Sequence, residues 1–365
     1  MGQMKLVKKL KQFSKAMDLY PVGFNGNRLN LLSINDGNPI NEPYNYLKSL
    51  SSPLLMKECR EYSIVDNLFW PFPVFQVNSR PDPWSLSQNL FEKFDVATEI
   101  LHQQQDISAL IEKQARDYTP NVILYMVADG LSYFDLPEAD DILPILVNGV
   151  STTEFGYRAA FGSPHISRRL FALGYREIIA FSYYEPANNT LSFDLHDPFS
   201  SSDFVRVKEF NEILTYIENK KFKKGYVQIV TSGLDQLCHH HHDRPPVEAY
   251  RKTIIDRFEK VSELLHKNNR SVLAYLTADH GILWRDSIEG KIEVASDLFH
   301  EDARSPRYIK GALLRNYGRI IKSSGQAFTL LKLPWMTRNF RNDEWGVHGG
   351  ISASESIVPL ITRQY

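Results

Sequence analysis

Three apolar runs in this chain each end abruptly in an aspartate. They lie at residues 121–130, 226–235 and 271–281. Their apolar positions are consecutive and do not alternate with polar ones, which predicts buried strands of a parallel sheet covered by helices on both faces. Ligands of such sheets bind outside the carboxyl ends of the strands, so we expect Asp129, Asp235 and Asp279 to converge at one edge.

Segments with helical periodicity alternate with these strands. Helices are predicted at 157–173, 207–219 and 246–267, and a further strand at 177–183. Alternation of this kind is typical of the α/β class, and we expect a sandwich with a largely parallel central sheet flanked by helices. Residues 120–365 are therefore predicted to form one catalytic domain. Within it, segment 284–344 does not continue the alternation of strands and helices and is interpreted as an insertion or cap.

The first 119 residues have a different pattern and are interpreted as an accessory helical and irregular segment. Residues 2–20 fit a basic amphipathic helix, and its packing on the domain is favoured over contact with a membrane or nucleic acid. Residues 20–83, rich in Asn, Pro, Gly and aromatic residues, are predicted to be irregular. A broken apolar stripe predicts helix over 85–118.

Composition excludes several classes of protein. The 365 residues are 43% hydrophobic and 23% charged, as expected for a globular protein with a full core. The formal net charge of -1 provides no global basic field for nucleic acid, although a local basic groove stays open. Cys59 and Cys238 are too few for a disulfide framework. Because no apolar run is long enough to cross a bilayer, we expect no membrane partner and a cytoplasmic location.

Five short segments have oxygen or imidazole donors at strand ends or glycine turns. They are residues 127–130, 151–154, 235–239, 277–281 and 347–350. Asp and His together suit zinc or manganese better than calcium. Two such ions about 4 Å apart can clamp the attacking and leaving oxygens of a phosphoryl transfer, and a Ser or Thr hydroxyl can serve as the nucleophile. The segments therefore predict a divalent metal site for phosphate-ester chemistry.

Each segment also has an ordinary structural explanation when it is taken alone. An Asp-Gly pair is common in turns, residues 151–154 can cap a helix, and a single His is more often a core residue than a ligand. Cys238 is interpreted as a small buried apolar residue. The four histidines at 239–242 leave open whether His239 or His240 is the ligand. The five segments together favour the metal site.

The order and content of these segments resemble the alkaline phosphatase superfamily over about residues 120–363. The resemblance implies an alkaline phosphatase-like sandwich that binds two divalent ions, with zinc or manganese preferred and magnesium also possible. It implies that the first ion is bound by Asp129, Thr153, Asp279 and His280. It implies that the second ion is bound by Asp235, His239 and His348.

Two branches of the superfamily are similar to particular segments. Residues 345–360 look like the PglZ-type proteins of bacterial phage-defence systems, and residues 151–158 are similar to the nucleophile turn of type I phosphodiesterases (nucleotide pyrophosphatases). The resemblance implies that Thr153 is the nucleophile. Because Gly162 and Ser163 stand where that branch usually has Thr-Gly, Thr152 is the second candidate.

Arginines that could meet the substrate lie in two places. Arg158 follows Thr153 by about one helical turn and is predicted to bind a substrate phosphate. Arg307 and Tyr308 in the insertion are interpreted as reaching over the site from the cap.

The function implied is that of a two-metal phosphohydrolase, more a phosphodiesterase or nuclease-like enzyme than a monoesterase, acting through a phosphothreonine intermediate. The substrate is a phosphate ester, with a nucleotide or nucleic acid as candidates, and the PglZ likeness suggests a role and a protein partner in anti-phage defence. The alternatives are a non-catalytic PglZ-like scaffold of a defence complex and a phosphomonoesterase.

Overall fold

The computed structural model describes most of the chain beyond residue 100. The described residues are 19–24, 29–33, single positions between 83 and 98, 101–136, 142–183, 204–239, 241, 243–288, 290, 292–294, 306–311, 316–323 and 325–365. The helix predicted over 2–20 lies outside them up to residue 18, as does much of segment 20–83. No described helix combines the length and the apolar character that a membrane crossing requires.

The described chain alternates strands and helices. The strands are β1 Leu19–Phe24, β2 Leu29–Ser33, β3 Val122–Ala128, β4 Ile142–Leu146, β5 Glu177–Tyr183, β6 Phe204–Val207, β7 Gly225–Thr231, β8 Val272–Ala278, β9 Leu283–Trp284, β10 Glu293–Val294, β11 Tyr308–Lys310, β12 Gly318–Ser323, β13 Gln326–Leu331, β14 Trp335–Met336, β15 Gly346–Val347 and β16 Ile357–Gln364. The α-helices are α1 Ile107–Tyr118, α2 Thr153–Phe161, α3 Ile166–Ala172, α4 Phe210–Ile217, α5 Val247–Asn268 and α6 Ala353–Ser356.

A seven-stranded sheet forms the centre of the fold, in the order β4-β16-β8-β3-β7-β5-β6. Strands β8, β3, β7, β5 and β6 are parallel to one another, and β16 is antiparallel to both β4 and β8. Every residue of β3, β7 and β8 is buried, as the continuous apolar runs predict. The predicted α/β class with a largely parallel sheet is thereby confirmed.

The register of the three central strands aligns their carboxyl ends. Ala128, the last residue of β3, pairs with Thr231 of β7 and with Ala278 of β8. Asp129 and Asp279 are the next residues of their strands and therefore leave the sheet at the same level. Asp235 begins a short 3-10 turn just after β7. The three aspartates lie at the edge where ligands of α/β sheets bind.

Two predicted helices have different bounds in the structure. The helix expected over 157–173 is two helices, α2 and α3, because Pro164 cannot donate a helical hydrogen bond and Gly162 adopts φ +74°. The helix expected from residue 207 begins only at Phe210. The Glu212 side chain accepts the backbone N–H groups of Lys208 and Glu209 at 2.9 and 2.8 Å and so fixes the start of α4.

The N-terminal predictions also need correction where the structure describes the chain. Leu19 and Tyr20, expected at the end of a helix, belong to β1, which pairs with β2 in an antiparallel hairpin inside the segment expected to be irregular. In the region expected to be helical over 85–118, the described residues Ser87, Leu90, Phe91, Phe94 and Thr98 are helical, as predicted. The helix is not continuous, because a 3-10 turn at Gln104–Asp106 precedes α1.

The segment 284–344 contains short strands and packs beside the site. Strands β11, β13 and β12 form a three-stranded antiparallel sheet, and β10 pairs with β14. Phe328 of β13 meets Phe155 of α2 edge to face, with ring centroids 5.4 Å apart. Phe328 is buried in the main core. This contact brings the insertion against the helix that follows the predicted nucleophile.

Candidate metal centre

Asp279 is a fully buried carboxylate whose two oxygens have different surroundings. Its Oδ1 accepts the backbone N–H groups of Gly130 and His280, both at 2.9 Å. Its Oδ2 accepts no hydrogen bond from the part of the chain that the structure describes. Burial raises the pKa of Asp279 well above its ordinary value, and the charge of Asp129 adds to the rise. A buried oxygen of this kind costs free energy unless a cation binds it.

His280 lies between Asp279 and Asp129. Its Nε2 is 3.5 Å from Asp279 Oδ2 and 3.5 Å from Asp129 Oδ1, while its Nδ1 is 3.0 Å from the carbonyl oxygen of Gly281. Because that carbonyl can only accept, Nδ1 is assigned the proton and Nε2 faces the carboxylates. Burial opposes a charge on His280, but Asp279 and Asp129 outweigh it and raise its pKa to about 10.

A second group of donors adjoins the first. Nε2 of His348 is 3.3 Å from Oδ1 of Asp235, and this Oδ1 has no hydrogen-bond partner among the described residues. His348 Nδ1 lies 2.9 Å from the carbonyl oxygen of Ser151, which holds the ring in place. Burial, followed by the nearby His280, lowers the pKa of His348. Burial raises the pKa of Asp235, but His348, His280 and His239 outweigh it and lower the pKa overall.

These side chains form two groups of potential metal ligands. One consists of Asp129, Asp279 and His280, and the other of Asp235, His280 and His348; within each, one ligand atom per residue lies within 4.8 Å of the others. Carboxylate and imidazole donors with unsatisfied buried oxygens fit zinc or manganese. His280 belongs to both groups, which the sequence did not indicate.

His239 is placed apart from these groups. Its side chain is 45% exposed, and its Nδ1 lies 3.6 Å from Glu344 Oε1. It lines the same cavity as His348 but is absent from both three-residue groups. His240, the alternative ligand, lies outside the described residues. Of the six Asp and His ligands that the resemblance implies, the structure therefore brings five together.

Thr153 is the first residue of α2, and its hydroxyl faces Asp129 and His280. Its Oγ1 is 3.4 Å from Asp129 Oδ1 and 3.4 Å from His280 Nε2. Thr152 precedes the helix in extended conformation, and both threonines line the cavity. The start of a helix offers unpaired N–H groups and a positive dipole end, which favour an anion such as phosphate.

The cavity in front of Thr153 has a volume of about 450 Å³. The structure does not bring Arg158 to it: Arg158 is exposed and pairs with Glu154 at 3.2 Å, one turn away along α2. Arg338 and Arg341 line the cavity instead. Sequence reasoning missed both, because they lie in the irregular part of segment 284–344 and belong to no motif or periodic pattern.

The two insertion residues expected over the site have different positions. Tyr308 lines the cavity, as expected. Arg307 is fully buried, and its Nε and Nη2 donate to both carboxylate oxygens of Glu355 at 2.9 to 3.2 Å. Glu355 also accepts the backbone N–H of Gly350 at 2.9 Å. Arg307 thus supports the turn after His348 from behind and does not reach into the cavity.

Ser151 joins segment 151–154 to the turn that carries His348. Its hydroxyl donates to the carbonyl oxygen of Gly350 at 2.9 Å and accepts the N–H of Gly349 at 3.1 Å. Its own carbonyl faces His348 Nδ1, and Thr153 follows two residues later. Segments 151–154 and 347–350, nearly two hundred residues apart, are held as one unit by a fully buried serine.

The strand end that carries Asp279 is supported from two sides. Gln104, almost fully buried, donates from Nε2 to the carbonyl oxygens of Ala278 and Asp279 at 2.8 and 2.6 Å. Gly156 of α2 packs so closely that a Cβ there would lie 2.0 Å from the carbonyl oxygen of Asp279. Such close packing holds α2 against the strand end that carries Asp279.

Comparison with known proteins yields structural similarity only. No protein-family model matches the chain, and no curated protein matches it. Phosphonoacetate hydrolase from Sinorhizobium meliloti, solved with phosphonoformate, matches with a TM-score of 0.42 and 12% identity, over 67% of this chain and 90% of that chain. Murine ectonucleotide pyrophosphatase/phosphodiesterase 5, an inactive variant solved with AMP, matches with a TM-score of 0.39 and 10% identity, over 65% and 87%.

A third structure is similar over a smaller part. The C-terminal periplasmic domain of EptC from Escherichia coli, in complex with Zn, has a TM-score of 0.28 and 10% identity, over 45% of this chain and 64% of that chain. All three TM-scores are below 0.5. At this level the similarity assigns no function to this chain.

Proposed function

We propose that this protein is a metal-dependent hydrolase of phosphate esters, with Thr153 as its nucleophile. The observation that carries the proposal is the position of the Thr153 hydroxyl, 3.4 Å from both Asp129 Oδ1 and His280 Nε2. The same hydroxyl stands at the start of a helix and on the wall of an open cavity. A phosphate ester that enters the cavity can contact this hydroxyl. At that point the ester is close to the buried carboxylates and to the positive end of the helix dipole.

The proposed ligand set follows the resemblance. The first ion would be bound by Asp129, Thr153, Asp279 and His280. The second would be bound by Asp235, His239 and His348. When bound, divalent ions supply positive charge that favours an ionised hydroxyl and neutralises charge on the phosphate. The described site fits such ions because two buried carboxylate oxygens, Asp279 Oδ2 and Asp235 Oδ1, have no hydrogen-bond partner.

The proposed reaction has two displacements at phosphorus. In the first, the Thr153 oxygen forms a bond to phosphorus, and the bond from phosphorus to the departing alcohol breaks. The threonine hydroxyl gives its proton to solvent, and the departing alcohol takes up a proton from solvent. In the second, water cleaves the phosphothreonine and restores the hydroxyl. The N-terminal turn of α2 stabilises the phosphate charge in both steps. The Ser151 carbonyl orients His348 so that its Nε2 faces Asp235.

A phosphodiester is the favoured substrate, and a nucleotide or nucleic acid is the favoured source of it. The cavity of about 450 Å³ is within the size range of small-molecule sites and has room for an ester with organic arms. A role in anti-phage defence, with a partner protein, rests only on the PglZ likeness of residues 345–360 and is part of this proposal. Phosphomonoesters are the second candidate substrates.

Hydrolysis of bis-p-nitrophenyl phosphate and p-nitrophenyl phosphate tests the proposal. Wild type, Thr153→Ala and Thr152→Ala are compared after chelation and reloading with manganese or zinc. We expect diester turnover that Thr153→Ala lowers by roughly a thousandfold or more and that Thr152→Ala lowers far less. The reverse order would make Thr152 the nucleophile. Faster hydrolysis of the monoester than of the diester would favour the phosphomonoesterase.

Metal content gives a second measurement that needs no substrate. We expect about two ions per chain in wild type, and reduced affinity for one of them in both His348→Ala and His239→Ala. Unchanged binding in His239→Ala would remove His239 from the ligand set. Two bound ions without turnover of any ester would favour the non-catalytic scaffold.

A further inference from the structure

Two arginines in the loop between β14 and β15 line the same cavity as Thr153. They are Arg338 and Arg341, and they share the cavity wall with His239 and Glu344. Neither is needed in the proposed displacement at phosphorus. Because the cavity of about 450 Å³ also extends to these cations, the substrate can carry a further charged group beyond the ester itself.

Glu344 fixes one arginine and neutralises it. Arg338 donates from Nη1 to Glu344 Oε2 at 2.7 Å and from Nη2 to Glu344 Oε1 at 2.9 Å. Glu344 is 2% exposed and also accepts the backbone N–H of Arg341 at 3.1 Å. The charge of Arg338 is therefore matched by a buried carboxylate, and the backbone of Arg341 is anchored to that carboxylate.

The guanidinium of Arg341 has a different environment. In the described part of the chain, no carboxylate lies within 4.0 Å of it, and the side chain is exposed. The other acidic residues of the cavity wall are Glu154, which pairs with Arg158, and Asp343. Arg341 is thus an available cation on an anchored backbone, at the wall of the cavity that holds Thr153.

We propose that Arg341 binds a second phosphate of the substrate. This inference rests on the proposed function and specifies its substrate class as phosphate esters in which one arm carries another phosphate. A guanidinium donates two parallel hydrogen bonds to a phosphate, a geometry that an ammonium group lacks. Glu344 contributes in two ways: it accepts the backbone N–H of Arg341, and it forms an ion pair with Arg338.

Binding of two thymidine nucleotides tests the subsite without turnover. Thymidine 5'-monophosphate and thymidine 3',5'-bisphosphate are titrated into manganese-loaded Thr153→Ala protein in a calorimeter. We expect the bisphosphate to bind about tenfold more tightly, the effect of one charge-assisted contact. When Arg341→Gln is added to the Thr153→Ala protein, the affinities for the monophosphate and the bisphosphate should become equal. Arg341→Lys in its place should restore part of the difference. Arg116→Gln is the matched control, because Arg116 is exposed and neither it nor its partner Glu112 lines the cavity.

Two results would overturn the subsite. One is equal affinity for the two nucleotides in the Thr153→Ala protein. The other is an equal loss in Arg341→Gln and Arg116→Gln, which would indicate only a general effect of surface charge. Because Arg341 is exposed, its replacement is expected to leave the fold intact, and a thermal unfolding curve checks this.

Hydrolysis separates failure of the subsite from failure of the proposed function. The p-nitrophenyl ester of thymidine 5'-phosphate is compared with the same ester bearing a 3'-phosphate, using protein with native Thr153. We expect a lower KM for the second ester, lost in Arg341→Gln. Turnover of both esters with equal KM would refute the subsite alone. Absence of turnover with Arg341-dependent bisphosphate binding would refute the proposed hydrolase and keep the subsite.

Discussion

The imidazole rings of His280 and His348 stack face to face, with centroids 4.1 Å apart and planes inclined by 14°. Their Nδ1 atoms lie near backbone carbonyl oxygens, those of Gly281 at 3.0 Å and Ser151 at 2.9 Å. Their Nε2 atoms therefore face the carboxylates. The pKa of His280 is raised to about 10, while the pKa of His348 is lowered by burial and by His280. One proton, held by His280, is the favoured state of the stacked pair at neutral pH.

Metal binding is expected to release that proton. Between pH 6.5 and 10 the metal-free site holds a proton on His280 that an ion must displace, so apparent affinity should rise by up to about tenfold per pH unit. The raised pKa also stabilises the metal-free fold; this contribution is complete below pH 6.5 and is lost as the pH rises through about 10. Calorimetry in buffers of different ionisation enthalpy measures the release. Binding without proton release at pH 7 would contradict the assignment.

Asp279→Asn is expected to separate stability from metal binding. Burial raises the pKa of Asp279, and its Oδ2 has no hydrogen-bond partner among the described residues, so a neutral amide should leave the metal-free protein equally or more stable. Wild type should gain about 2.7 kcal/mol for each ion with free metal at a hundred times its Kd, and the variant should lose the gain that comes from the first ion. Thermal unfolding with and without manganese tests both statements. A full metal-dependent gain in the variant would remove Asp279 from the ligand set.

Gly156→Ala is expected to destabilise the protein, although alanine normally favours a helix by about 1 kcal/mol over glycine. A Cβ at residue 156 would lie 2.0 Å from the carbonyl oxygen of Asp279, so α2 must move away from the strand end. Overpacking of this kind costs about 1–3 kcal/mol or more. Gly149→Ala is the control, since no atom of the described residues, apart from its two chain neighbours, lies within 4 Å of its added Cβ. Urea unfolding compares the two, and equal stabilities would contradict the packing argument.

Loss of the buried pair between Arg307 and Glu355 is expected to be costly. Both side chains are fully buried, so Glu355→Gln leaves the arginine charge without its partner and should cost about 3–5 kcal/mol. Arg158→Gln breaks an exposed pair with Glu154 and should change stability by less than about 1 kcal/mol. Urea unfolding of the two variants provides the comparison. A small effect of Glu355→Gln would show that the turn at 348–350 has other support.

Strands and their terminal aspartates were predictable because both are local properties of the chain. A continuous apolar run favours a buried parallel strand, and the residue after its end must lie at the edge of the sheet, which is where Asp129 and Asp279 are. The helix bounds were less predictable. Pro164 interrupts the helix expected after Thr153, and the side chain of Glu212 sets the start of α4, so single residues decided where each helix begins or ends.

Which side chains share the cavity depended on the tertiary structure. Arg158 is one turn from Thr153 in sequence yet points to solvent, because the direction of a helical side chain depends on how the helix packs. Arg341 is far from Thr153 in sequence but lines the same cavity, because the insertion folds against α2. The sequence by itself determined the α/β class and the order of the segments that carry the potential metal ligands. The register of β3, β7 and β8 decided that His280 lies in both groups of potential ligands. The packing of the insertion decided that arginines line the cavity with Thr153. Both arrangements depend on contacts between residues that are far apart in the chain.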